Sequence, residues 1–174
     1  YEGELKQAKI VIEASKKAGV DHFVMSSVGG ADRNTKIPHF EVKFEAETLI
    51  KSLDLPFTIL RPVFFMENFN TWFKPSESDG KLTLNMAINK DTKLQIIAVD
   101  DIGAIAAIVF NDPEKYIGKE IEIAGDELIL AEMAEKLSKA YGKEVAYNSL
   151  PVDVVRANSP EMADMFQWFI DKGY

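Results

Sequence analysis

The chain has 174 residues, 47% of them hydrophobic, and a formal net charge of −8 at pH 7. This length and apolar content allow one domain of ordinary size with a buried core and exclude wholesale disorder. The acidic balance disfavours direct nucleic-acid binding, because phosphate backbones would be repelled. No apolar run approaches the roughly 18 residues of a membrane span, so we expect no membrane partner. The absence of cysteine fits a cytoplasmic protein, and two histidines are too few to suggest a histidine metal cluster.

The first part of the chain alternates predicted helices and strands. Helix, strand, helix and strand joined by short links are typical of a parallel sheet. The acidic run from Glu41 to Glu47 is interpreted as a solvated helix face. The predicted elements are a helix over 2–18, a buried strand over 20–27, a helix over about 39–52 and a buried strand over 57–61.

The second part predicts shorter elements of both kinds. Asp100 or Asp101 is expected to cap a helix, and Ser159 to cap the last one. The predicted strands cover 81–85, 94–99, 119–124 and 144–150, and the helices cover about 101–111, 131–141 and a segment opened by Ser159-Pro160-Glu161.

The stretch from Ser26 to Lys43 carries the residues typical of a polar active site. Ser26 and Ser27 close a predicted strand, and His39 and Lys43 stand four residues apart at the start of a predicted helix. That spacing places imidazole and ammonium on one helix face. A hydroxyl, a proton carrier and a cation would then meet at the carboxyl end of a parallel strand.

The predicted fold lacks two parts of a nucleotide-binding sheet. Such a sheet has about six strands and binds phosphates with a Gly-rich loop after the first strand. No three glycines here match GxGxxG or GxxGxxG, and only three strands remain for the main sheet. We therefore expect an α/β fold that is the carboxyl-terminal part of a larger one. The alternative is a compact three-strand domain that protects its own edges.

Five segments of the chain resemble the NmrA-like members of the atypical short-chain dehydrogenase/reductase group. They are AGVDHFVMSSVGGADR, IPHFEVKFEAE, LPFTILRPVFFMENF, VDDIGAIAAIVFNDPEKYIGKEIEIAGDEL and SPEMADMFQWFIDKGY. The resemblance implies a partial Rossmann-like parallel sheet with helices on both faces, which binds NADP or NAD, and a small α+β carboxyl-terminal lobe. Residues 1–125 would belong to the dinucleotide-binding domain, with 64–100 contributing to the cleft, and 126–174 would form the substrate or lid lobe.

The same resemblance implies roles for individual residues. Catalytic roles would fall to Lys43, His39 and Ser27, where His39 takes the place of the tyrosine that true short-chain reductases carry. The alternatives are structural: the serines could satisfy backbone groups at a strand end, and the aromatic residues could serve core packing. The resemblance further implies cofactor contacts from Lys43, Pro62, Val63, Phe64 and Ser26, and a substrate cleft with Phe65, Glu67 and Asn68.

Three functional hypotheses follow. The first is an NAD(P)-binding oxidoreductase that reduces a small carbonyl or quinone-like substrate with NADPH. The second is a non-catalytic NADP(H) redox sensor that binds a regulatory protein partner. The third is a truncated form without cofactor binding. We expect cofactor binding to be weak or absent in this chain alone, and we expect self-association or pairing with the missing amino-terminal half.

Overall fold

The structure, a computed structural model, describes residues 2–174. These residues form two compact units. The first comprises residues 2–63 and Val99–Ile123, and the second comprises Phe64–Ala98 and Ala124–Tyr174.

Helices and strands alternate along much of the chain, with two 3₁₀ turns at Ala31–Arg33 and Met66–Asn70. The helices are α1 (Glu2–Ala18), α2 (Pro38–Ser52), α3 (Val99–Asn111), α4 (Pro113–Tyr116), α5 (Leu130–Tyr141), α6 (Val152–Arg156) and α7 (Pro160–Lys172). The strands are β1 (Phe23–Ser26), β2 (Phe57–Pro62), β3 (Phe64–Phe65), β4 (Ser76–Ser78), β5 (Lys81–Met86), β6 (Lys93–Ile97), β7 (Lys119–Ile123), β8 (Asp126–Ile129) and β9 (Val145–Ser149).

The first unit is built on a three-stranded parallel sheet in the order β1-β2-β7. The central strand β2 is almost entirely buried, as its run of apolar residues predicts. Helices α1 and α2 pack on each other around a cluster of Ile12, Ala46, Ile50 and Leu55. The predicted α/β class is therefore confirmed.

Two surfaces of the first unit are less covered than their composition predicts. β1 pairs with β2 alone among the described strands, which leaves its other edge without a strand neighbour in residues 2–174. Helix α3 is apolar over most of its length after the first turn, yet Val109 is its one buried residue. Ile108 and Phe110 on that helix are each 55% exposed. Parallel sheets are normally covered on both faces, so this unit exposes surface that such folds usually bury.

The second unit contains two small mixed sheets, in the orders β3-β6-β8 and β4-β5-β9. Aromatic rings from the segment after β2 and from α7 pack together, including Phe64 on Phe73 and Phe73 on Phe166. The Tyr147 hydroxyl donates to the Ile88 carbonyl at 2.5 Å, and burial raises the pKa of this phenol to about 12. Phe64, Phe73 and Phe166 thus contribute to the packing of the second unit.

Several sequence-based expectations need correction. Glu47 is fully buried, so the acidic run from Glu41 to Glu47 is not a solvated face throughout. Helix α3 begins at Val99, which places Asp100 and Asp101 inside the first turn instead of at the cap, where carboxylates still face the positive helix end. Ser159 occupies the cap position of α7, but its side chain makes no capping hydrogen bond. The strands β3, β4 and β8 and the short helices α4 and α6 were not predicted.

Candidate functional site

The carboxyl ends of β1 and β2 lie side by side, as a parallel pair requires. Ser26 stands opposite Leu60, and the Ser27 amide donates to the Leu60 carbonyl at 2.7 Å. The Gly29 amide then donates to the Pro62 carbonyl at 2.9 Å. The carboxyl end of the sheet thus brings together Ser26, Ser27 and Pro62, which sequence reasoning assigned to one site.

A buried ion pair lies next to these strand ends. Arg61, on β2, grips the carboxylate of Glu47 on α2 with two hydrogen bonds, Nε to Oε1 at 3.1 Å and Nη2 to Oε2 at 2.7 Å. The Glu47 side chain is 0% exposed and the Arg61 side chain 6%. The hydrogen bonds to Glu47 raise the pKa of Arg61 further above its ordinary value, although burial opposes the change. Arg61 therefore stays charged and can donate both hydrogen bonds of a bidentate pair.

The Ser27 hydroxyl belongs to the same arrangement. It donates to Oε1 of Glu47 at 2.5 Å and is itself buried. Its proton is already directed at a carboxylate, so a chemical role for Ser27 would require that bond to break. The catalytic assignment of Ser27 stays a prediction.

Three hydrogen bonds to the carboxylates of Asp32 and Glu122 hold the loop after β1. Arg61 Nη1 donates to Asp32 at 2.8 Å, and Arg33 donates to Glu122 at 2.6 Å. The Gly30 amide also donates to Glu122, at 2.8 Å. The loop is therefore tied to the ends of β2 and β7 by side chains as well as by backbone.

The entry to α2 is shaped by a second small cluster. Glu41 accepts hydrogen bonds from the Lys36 amide at 2.8 Å and from the Thr35 hydroxyl at 3.1 Å. Asn34 and Lys36 both have left-handed backbone angles, at φ 51° and 61°. Such angles are unfavourable for residues other than glycine, so the Glu41 bonds offset part of that strain.

His39 and Lys43 follow on α2 as predicted. The half-buried His39 ring packs edge-to-face on Phe40, with ring centres 4.7 Å apart. Lys43 Nζ pairs with Glu4 of α1 at 2.7 Å, and the Lys43 side chain is 29% exposed. A partly exposed ion pair of this kind is weak and can exchange for another anion or a hydroxyl.

The remaining predicted residues follow β2. Val63 closes the first unit, where its amide donates to the Ile123 carbonyl at 3.3 Å. Phe64 is buried and Phe65 partly exposed on β3, and Glu67 and Asn68 lie in the 3₁₀ turn that follows. These four belong to the second unit. Their predicted roles as cofactor and cleft residues stay predictions.

Ser26 at the end of β1 and Lys43 on α2 suit the ribose of a dinucleotide, whereas the loop after β1 does not suit its diphosphate. Lys43 and the exposed Ser26 offer a cation and a hydroxyl suited to ribose hydroxyl groups. The Gly29 and Gly30 amides, in contrast, are already used, by Pro62 and Glu122. The neighbouring carboxylates would repel a diphosphate. This loop is therefore not a phosphate-binding turn.

Sequence reasoning missed the Arg61–Glu47 pair, although one signal pointed to it. Glu47 stands seven residues after Phe40 and three before Ile50, on the buried stripe of α2. A carboxylate on an apolar stripe needs a buried partner, and Arg61 is the arginine of a strand that is otherwise apolar.

Residues 2–174 hold no group of three or more histidine, aspartate or glutamate side chains placed to bind a metal ion. Within the same range, every helix is too short or too polar to span a membrane.

The chain is similar to known proteins over nearly its whole length. The model of the NmrA-like family matches residues 1–174. An NmrA-like family domain-containing protein of Dictyostelium discoideum is 25% identical over 186 residues, which cover 99% of this chain and 61% of that protein.

Two solved structures are similar over almost the whole chain. One is NmrA, a negative transcriptional regulator, in complex with NADP, with a TM-score of 0.80 and 22% identity over 97% of this chain and 57% of its own. The other is the NADPH-dependent quinone oxidoreductase QOR2 of Escherichia coli with NADPH, with a TM-score of 0.77 and 26% identity over 96% of this chain and 61% of its own. The chain thus spans about three fifths of these relatives.

Proposed function

Because the chain belongs to the NmrA-like family, as its motifs predicted, we propose that it forms the carboxyl-terminal part of an NAD(P)-binding protein of the oxidoreductase type. The position of Lys43 carries this proposal. Its ammonium stands one helical turn after His39, on the helix that follows the ends of β1, and is partly exposed. Similarity to the E. coli NADPH-dependent quinone oxidoreductase supports the reaction class.

In the proposed function, NADPH supplies a hydride to a small carbonyl or quinone-like substrate. Lys43 would exchange Glu4 for the ribose hydroxyls of the cofactor, and His39 or a water molecule would deliver the proton to the substrate oxygen. Ser26, Pro62, Val63 and Phe64 would contact the cofactor. Phe65, Glu67 and Asn68 would line the substrate cleft.

The domain roles are part of the same proposal. Residues 1–125 would serve the dinucleotide, with 64–100 contributing to the cleft, and residues 126–174 would form the lobe over the substrate. The cysteine-free composition favours a cytoplasmic location, and the acidic charge disfavours a direct nucleic-acid partner.

We further propose that a phosphate-binding part outside residues 1–174 pairs with the first unit. Two observations support this: β1 has one strand neighbour within residues 2–174, and α3 exposes Ile108 and Phe110. A segment that adds a parallel strand to β1 and an apolar helix to α3 would cover both surfaces. In its absence, self-association through the same edge is the expected substitute.

The decisive experiment supplies the part that the chain does not cover. The chain would be coexpressed with the remaining portion of the E. coli relative, and loss of NADPH absorbance followed with a panel of quinones and small aldehydes. We expect NADPH oxidation that Lys43→Met lowers about tenfold or more, since an orienting cation is lost. Lys9→Met is the matched control, because Lys9 also forms an ion pair between α1 and α2, with Glu45 at 2.7 Å. No turnover with any acceptor would refute the oxidoreductase proposal.

The second candidate function is a redox sensor that binds NADPH or NADP and a regulatory protein. His39 in place of the reductase tyrosine favours it, and so does similarity to the regulator NmrA. The same complex should then bind NADPH tightly without oxidising it, and His39→Ala should leave the affinity nearly unchanged. A large loss of affinity in that variant would count against a sensor.

A further inference from the structure

One guanidinium group connects the elements that carry the predicted site. Arg61 itself lies at the end of β2, and its bonds reach Glu47 on α2, Asp32 on the loop after β1, and Glu120 on β7. The end of β1 joins through Ser27, whose hydroxyl donates to Glu47. Strands β2 and β7, the loop after β1 and helix α2 therefore meet at a single buried cation, and the end of β1 is linked to it through Ser27 and Glu47.

The contact with Glu47 fixes the orientation of α2. Glu47 lies one helical turn after Lys43 and two turns after His39, on the same face of the helix. A carboxylate that is 0% exposed and held by two guanidinium hydrogen bonds cannot rotate away. The direction in which α2 presents Lys43 is set by this anchor.

The contact with Asp32 fixes the loop. Asp32 lies in the 3₁₀ turn Ala31–Arg33, two residues after the Gly29-Gly30 pair. Its carboxylate bonds to Arg61 Nη1 at 2.8 Å. The Asp32 side chain is 44% exposed, so the contact ties a surface loop to a buried group.

We propose that Arg61 is the positioning residue of this site. Its planar fork holds the loop 28–33 through Asp32 and the helix α2 through Glu47. His39 and Lys43, which would meet the substrate and the cofactor, stand on α2, and Ser26, which would contact the cofactor, lies on β1 just before that loop. Lysine could not replace it, because a single ammonium offers no rigid fork for two carboxylates on different elements. The proposal rests on the proposed function for what the loop and helix contact, but the geometry and its test do not require a cofactor.

A purely stabilising role predicts something different. Buried ion pairs often contribute little net stability compared with apolar residues of similar volume. If Arg61 served stability alone, cutting its bond to an exposed aspartate would leave the loop unchanged. If it positions the loop, that cut should release the loop while the buried pair and the global fold persist.

Amide hydrogen exchange on the full chain tests this. Asp32→Ala removes the loop contact, and Glu120→Ala is the matched control because it removes another carboxylate from the same guanidinium but outside the loop. In Asp32→Ala we expect the amides of Gly29, Ala31 and Arg33 to exchange about tenfold faster or more, since a charge-assisted hydrogen bond is lost. The thermal midpoint should stay close to that of the unchanged protein.

Arg61→Lys gives the second measurement. It should accelerate exchange in the same loop and in the first turns of α2, despite its retained positive charge. Unchanged loop exchange in Asp32→Ala would overturn the proposal. So would equal loosening of the loop in Glu120→Ala, or full protection in Arg61→Lys. Failure of NADPH turnover in the coexpressed complex would leave these exchange results intact, so the two proposals fail separately.

Discussion

Removal of Arg61 alone should destabilise the first unit strongly. The Arg61→Met variant leaves the Glu47 carboxylate fully buried, with the Ser27 hydroxyl as its remaining donor among the bonds described above. An unpaired buried charge of this kind costs about 3–5 kcal/mol. For a chain of this length each kcal/mol lowers the melting temperature by about 2–4 °C, which gives a decrease of roughly 6–20 °C.

The double variant Arg61→Met with Glu47→Leu separates charge from packing. It removes both charges and keeps similar side-chain volumes, so we expect stability within about 1–2 kcal/mol of the original protein, or higher. Arg33→Met is the control, because Arg33 forms an exposed ion pair with Glu122 whose loss should cost less than about 1 kcal/mol.

The assay can follow the two units separately. Both tryptophans, Trp72 and Trp168, lie in the second unit, so their fluorescence during urea unfolding reports on that unit. Far-UV circular dichroism, combined with hydrogen exchange in α2, reports on the first. The reasoning is refuted if Arg61→Met costs no more than Arg33→Met, or if the double variant is as unstable as the single one.

Four further predictions concern two titrating side chains, cofactor binding and association. His22 donates through Nε2 to Thr58, whose hydroxyl donates onward to the Tyr116 carbonyl, so Nδ1 is a buried acceptor without a partner among the described atoms. Burial lowers the pKa of His22 below 6.5, so the stability of the protein should be constant above pH 6.5 and fall below it. His22→Gln should reduce this dependence on pH in urea titrations at several pH values. Tyr147→Phe should cost about 0.5–1.5 kcal/mol and remove the part of the phenol absorbance titration near pH 12. If the variant instead loses absorbance change near pH 10, the burial of Tyr147 is contradicted. The chain alone should bind no NADPH saturably and should self-associate through β1, so a micromolar dissociation constant, or a clean monomer in sedimentation, would contradict these two expectations.

Local signals in the sequence predicted most elements of the fold. Pro38 and Gly142 mark the start of α2 and the end of α5 as proline and glycine usually do. The two short apolar runs on either side of a predicted helix predicted the parallel pair of β1 and β2. The strand β8 escaped prediction because its four residues, Asp126–Ile129, lead directly into α5. A strand this short carries no alternation that distinguishes it from the start of a helix.

The candidate site was predicted less fully, for a different reason. His39 and Lys43 are four residues apart, so helical periodicity places them together. Arg61 and Glu120 are 59 residues apart, and no local pattern reports such a contact. The burial of Glu47 on α2 depends on Arg61 from β2, and composition alone does not show which residues meet in this way. Pairings of this kind are products of the tertiary fold.

The path of the chain between the two units has a practical consequence for anyone who dissects this protein. The polypeptide leaves the first unit after Val63, returns at Val99 and leaves again after Ile123. Neither unit is a contiguous segment, so no single truncation can yield one of them intact. A chain ended at residue 125 would keep β7 but deprive β6 of its partner β8 and β5 of its partner β9. A protease that cuts the chain where it passes from one unit to the other would leave pieces that remain associated. Deletion mapping would attribute to the deleted segment an effect that arises because the whole unit containing that segment is disrupted.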